Sequence, residues 1–141
     1  MKINFFIADE IRPESSGKQT ILGLFADNTI VIESQNPPPI IAANLPTGID
    51  RLAFMINVSD SPDEKHSYKA KIIDPSGKNH GPEMQFGETV LGMNSSRTII
   101  VEAKPFIFSG KGTYYFNFYV DGNLHSFPFK VVDREEVKAT V

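Results

Sequence analysis

A chain of 141 residues with 40% hydrophobic content and a formal charge of −3 is long enough to bury one core. Its lack of cysteine excludes disulfides, thiolate catalysis and cysteine-built zinc sites, and its scattered lysines and arginines offer no basic field for nucleic acid. The apolar start, Met1 to Ala8, meets Asp9-Glu10 at once and is too short for a signal peptide, and no later run approaches a membrane span. The expectation is a cytoplasmic protein with no cofactor and neither nucleic acid nor membrane as a partner.

Ile3, Phe5 and Ile7 alternate, which places a first strand near the N-terminus. Arg12 to Gly17 is a turn cluster. Thr20–Phe25 and Thr29–Glu33 read as the next two strands, joined around Asp27-Asn28. Asn36-Pro-Pro-Pro39 is held toward polyproline geometry and leads into a loop through Gly48. Arg51–Val58 is a strong strand closed by Asp60-Ser-Pro62. Tyr68, Ala70 and Ile72 alternate up to Asp74-Pro-Ser-Gly77, a turn with proline and glycine where turn geometry wants them. Residues 79–95 read as irregular. Arg97–Glu102 is a strand, Lys104–Phe108 leads to a closing hairpin, and the charged tail from Asp133 has the makings of one frayed helical turn.

About eight short strands without a convincing helix argue for two packed antiparallel sheets. The fold class expected is all-β, an immunoglobulin-like antiparallel β-sandwich with a C-terminal hairpin. It occupies 1–133 as one domain, followed by a short tail at 134–141.

The closing hairpin is the strongest local signal. Asp121-Gly122 stands between aromatic alternating runs, and a type I′ turn needs positive φ at both central residues. Counting outward pairs Val120 with Asn123, Phe118 with His125, Phe116 with Phe127 and Tyr114 with Phe129 on a core face. The other face carries Tyr119 with Leu124, Asn117 with Ser126 and Tyr115 with Pro128. The last of these is a non-hydrogen-bonded pair, so the missing N–H of Pro128 points away from its partner strand. That predicts an edge strand near Pro128. Gly112-Thr-Tyr114-Tyr-Phe116 has the spacing of a tyrosine corner, with Phe116 where antibody domains place cysteine.

Several short motifs together resemble a family of small uncharacterised bacterial all-β domains. They are Ala8-Asp9, Gly17-Lys18 before Ile21-Leu-Gly-Leu-Phe25, Asp74-Pro-Ser-Gly77, and Gly112-Thr-Tyr114 ahead of Asp121-Gly122. The resemblance covers nearly the whole chain. It implies a stand-alone sandwich of bacterial or phage type and brings no activity with it.

Chemical motifs are scarce. Gly17-Lys18 is no phosphate loop, because Arg12 and Gln19 stand where that loop needs glycine and a hydroxyl residue. His66, His80 and His125 are far apart and sit in no ligand spacing. Asp60, Asp63 and Glu64 form an acidic cluster without a calcium-loop frame. No Gly-x-Ser-x-Gly elbow occurs, and the glycosylation-type triplets at Asn57 and Asn94 read as chance matches.

The outer row of the hairpin is the candidate interaction surface: Tyr115, Asn117, Tyr119, Leu124 and Pro128. If left open, an aromatic row on an edge ribbon suits contact with a protein partner or with another copy of the chain. The same tyrosines beside Asn117 suit stacking on a carbohydrate or other small ligand. A loop-built hydrolase site has no supporting motif. The alternative is that residues 79–95 or the first strand cover the row.

Overall fold

A computed structural model describes residues 1–16, 18–32, 48–59, 65–90 and 96–133 of the chain. The described residues form β1 (Lys2–Pro13), β2 (Gln19–Leu24), β3 (Thr29–Ile32), β4 (Gly48–Ile49), β5 (Leu52–Ser59), β6 (Lys65–Ile73), β7 (Met84–Val90), β8 (Arg97–Ala103), β9 (Phe106–Ile107), β10 (Gly112–Val120) and β11 (Asn123–Asp133). One sheet runs β2-β1-β5-β8, a second runs β3-β11-β10-β6-β7, and β4 pairs with β9 as a small third.

The two larger sheets face each other across an aromatic interior. Alternation sends Phe5 and Ile7 of β1 and Phe54, Ile56 and Val58 of β5 inward from one side. Tyr68, Ala70 and Ile72 of β6, Tyr114, Phe116 and Phe118 of β10, and Phe129 and Val131 of β11 meet them from the other. Phe116 sits at the centre, with its ring centroid 5.2 Å from those of both Phe5 and Phe54. β5 is buried along almost its whole length because it is interior to its sheet. Its opposite face, Ala53 and Met55, closes a smaller cluster with Ala8 and Ile11.

The hairpin forms at Asp121 and Gly122, with φ of 51° and 84°, in the expected register from Val120–Asn123 out to Tyr114–Phe129. Glycine carries the left-handed conformation at no steric cost, and aspartate tolerates it. Asp27 and Asn28 take the same conformation in the short 3-10 turn ahead of β3. The tyrosine corner is complete: the Tyr114 hydroxyl donates to the Gly110 carbonyl at 2.7 Å and accepts from the Ser109 N–H at 2.8 Å.

Four expectations change. About eight strands become eleven in three sheets among the described residues: β7 is one addition, and β4 and β9 are the others, their two-residue pairing being too short to leave a pattern. The second sheet is mixed rather than antiparallel, since β3 runs parallel to the end of β11. β11 is therefore not a sheet edge throughout: β3 covers Lys130–Asp133, and only the stretch holding Pro128 lacks an outer neighbour among the described residues. Within residues 79–95, Met84–Val90 forms β7 against β6. Its alternation is interrupted by Gly87, which lies opposite Tyr68 where the register shifts. Expectations for Gly17, Asn36–Pro39, Asp60, Asp63, Glu64, Asn94 and the tail from 134 lie outside the described residues.

The hairpin tip is anchored to β6, which local sequence did not reveal. Asp121 donates its N–H to the Ser67 carbonyl, and its carboxylate accepts from the Ser67 N–H at 2.9 Å. The other carboxylate oxygen lies 2.7 Å from Nδ1 of buried His66. The His66 bond, then the Ser67 N–H, hold the Asp121 carboxyl below its ordinary pKa. A depressed carboxyl contributes its stabilisation above the unfolded value, near pH 4, and loses it as the pH falls through the lower folded value. Asp121→Asn keeps a turn-competent side chain and removes the charge. It should cost about 1 kcal/mol at neutral pH, below the usual range for charged bonds because the carboxylate is half exposed. In urea titrations repeated across pH, that difference should shrink below about pH 4.

Candidate functional site

The pairing of β6, β10 and β11 builds a grid on the outer face of the five-stranded sheet. Ile73, Tyr115 and Pro128 form one row; Lys71, Asn117 and Ser126 the next; Lys69, Tyr119 and Leu124 the third. All five candidate residues thus lie on one face. Tyr115 is 42% exposed and Leu124 52%, and Pro128 is exposed, while Asn117 and Tyr119 are half-buried. β7 extends the sheet in its own plane beside β6, and β1 belongs to the opposite sheet, so neither lies over this face.

The side chains are held in place. The Ser126 hydroxyl donates to Asn117 Oδ1 at 2.6 Å. Lys69 Nζ and Lys71 Nζ stand 5.7 and 5.8 Å from the Tyr119 ring centroid, within cation–π range. Lys69 also reaches Glu83 at the rim, 3.6 Å away. Further along the face come Thr113, Lys130, Val132, Thr29 and Val31. Among the described outward side chains of β3, β6, β10 and β11 there are lysines and no carboxylate, in a chain with 17 Asp and Glu against 14 Lys and Arg. Lys69 and Lys71 were missed as site residues. Their signal was present, as the polar positions between Tyr68, Ala70 and Ile72, but nothing local says that β6 adjoins β10.

A second feature is a cleft of about 330 Å³ where edge strands β7 and β8 leave the two sheets apart, with Phe54, Ile72, Met84, Val101 and Phe106 among its walls. His80 at its rim packs 4.9 Å from Phe106, and its Nδ1 lies 2.8 Å from Ser109 Oγ. Glu102, also at the rim, is paired with Arg51 and Lys104. No carboxylate hydrogen-bonds to the His80 ring among the described residues, so this serine–histidine pair lacks the orienting third group of a nucleophilic site. His125 is half-buried opposite Phe118. Among the described residues no cluster of three or more metal-ligating side chains forms, and no helix is long and apolar enough to cross a membrane.

The fold and this face define an all-β domain of two facing sheets with an aromatic–lysine surface that no described strand covers. The chain belongs to the family of unknown function DUF6941, whose profile matches residues 3–132. No curated protein matches it. Among solved structures it is similar to a Pseudomonas fluorescens alkylpurine DNA glycosylase, AlkC, bound to DNA containing an abasic site analog. That likeness has 17% identity and a TM-score of 0.43 over 72% of this chain and 27% of that one. It is also similar to a β-glucosidase from Listeria innocua in complex with glucose, at 7% identity and a TM-score of 0.43 over 93% of this chain and 16% of that one. The chain spans about a quarter or less of these proteins' lengths, and likeness at this level carries no argument about activity.

Proposed function

We propose that this protein is a non-enzymatic binding module whose outer face of β6, β10 and β11 docks an acidic surface of a partner protein. The observation that carries the reading is the charge pattern: exposed Tyr115, Leu124 and Pro128 beside Lys69, Lys71 and Lys130, with no carboxylate among the described outward side chains of β3, β6, β10 and β11 and Glu83 only at the rim. Exposed tyrosine buries area at low rotamer cost, and flanking lysines favour carboxylates while disfavouring wrong partners. Two copies meeting through this same face would oppose lysine with lysine, so a different, acidic partner fits better. The immunoglobulin-like sandwich is the fold reading we favour, supported by the tyrosine corner at Tyr114.

Carbohydrate binding is the second reading, supported by the exposed Tyr115 ring near Asn117 and Ser126. It is weaker because Asn117 Oδ1 already accepts from Ser126 and lysines flank the Tyr119 ring.

The test is an NMR titration with a short alternating glutamate–tyrosine peptide. Saturable shifts are expected at Lys69, Lys71, Tyr115, Asn117 and Tyr119, weakening as salt is raised. Lys69→Glu combined with Lys71→Glu should lower affinity roughly tenfold or more. Shifts confined to other surfaces, or indifferent to the charge reversal, would remove the proposal. Shifts on this face with methyl glycosides and none with the peptide would transfer it to the second reading.

A further inference from the structure

We propose that the β1–β2 ribbon is a self-association arm in which edge strand β2 pairs antiparallel with β2 of a second copy of this chain. β1 pairs with β5 over Lys2–Ala8 and with β2 over Ala8–Pro13. Beyond Ala8 the backbone of β1 pairs only with β2 among the described residues, while the Ile11 side chain packs with Ala53 and Met55 and Glu10 reaches Arg51. β2 is the edge of its sheet and exposes Ile21, Leu22 and Leu24, the last at 56%.

The outer edge of β2, unpaired among the described residues, presents a row of backbone donors and acceptors, and that chemistry is matched by another strand. Edges that must stay single are usually blunted by lysine, proline or a bulge. Gln19-Thr-Ile-Leu-Gly-Leu24 contains no charge and no proline. Its one irregularity is Gly23, with φ of 67°, where an added Cβ would collide with the Asp9 carboxylate. The straight part of the edge is thus Gln19–Leu22.

The absence of charge selects the occupant. With a two-fold axis at Ile21, that residue faces its own image and Thr20 faces Leu22 of the other copy, so no like charges are opposed and the apolar side chains cover one another. The ribbon's charged groups are on β1, where Glu10 is tied to Arg12 and Arg51, and in the turn, where Glu14 accepts from the Thr20 hydroxyl and Lys18 precedes Gln19. Those on β1 stand one strand back from the new partner, and those of the turn lie beyond the end of β2. This surface belongs to the four-stranded sheet and is separate from the lysine-lined face.

Light scattering of the full chain over a micromolar-to-millimolar series tests the proposal. The mass should rise from one chain to two, and Leu22→Lys, at an exposed position, should keep it at one. Amide exchange at Thr20, Ile21 and Leu22 in the unmodified chain should slow as concentration rises, a readout that needs no variant. A single chain mass with concentration-independent exchange overturns the proposal. So does a dimer that Leu22→Lys leaves intact, and one abolished instead by Tyr115→Ala would move the contact to the other sheet.

Discussion

Phe116→Ala should destabilise the protein by about 3–5 kcal/mol, the range for deleting a fully buried phenylalanine. Phe116 is wholly enclosed, and the rings of Phe5 and Phe54 lie 5.2 Å away on the opposing sheet. Truncation there removes apolar burial from both sheets at once, and neighbours that are themselves rings in fixed rotamers close the space poorly. Tyr115→Ala, one position along the same strand, is the control. Its side chain looks outward, so its cost should stay under about 1 kcal/mol. Chemical denaturation of the two variants gives the comparison directly, and equal midpoints would contradict the assignment of faces on β10.

Tyr114→Phe is expected to cost about 1.5–3 kcal/mol while leaving apolar volume almost unchanged. The hydroxyl is the partner of both the Ser109 N–H and the Gly110 carbonyl, and without it these backbone groups lose their bonds beneath a buried ring. The expected readouts are a lower denaturation midpoint and faster amide exchange at Ser109. Burial also raises the phenol pKa above its ordinary value, despite the Ser109 bond acting in the other direction. The unfolded chain would therefore ionise first. This contribution is intact below about pH 10 and is lost as the pH climbs from there through the raised value. Tyr114→Phe should remove that part of the alkaline instability, leaving the share due to buried Tyr68, whose phenol is raised for the same reason.

The candidate face divides along the same line as these variants. Tyr115, Asn117, Tyr119, Leu124 and Pro128 were legible because a two-residue turn sets the register of its own flanking strands, and a period of two then assigns every side chain to a face. Lys69 and Lys71 were not assigned, since their strand joins β10 through a pairing between residues about fifty positions apart. The anchor from Asp121 to His66 and Ser67 depends on the same contact. β7 escaped notice because Gly87 interrupts its alternation, and only the bulge in its pairing with β6 gives that glycine a place.

What sequence alone determined is the all-β class, the closing hairpin with its two faces and its left-handed turn at Asp121-Gly122, the junction around Asp27-Asn28, and the spacing of the tyrosine corner. Each rests on dihedral preferences or on spacings within a few residues, which a chain carries wherever it is placed. Tertiary structure decided the rest. β3 came in parallel beside the end of β11, β6 brought two lysines to an aromatic face, and β1 was shared between two partners, its first half pairing with β5 and its far half with β2. These outcomes follow from how whole sheets bury their apolar faces, a free energy that belongs to strands distant in sequence and leaves no local trace.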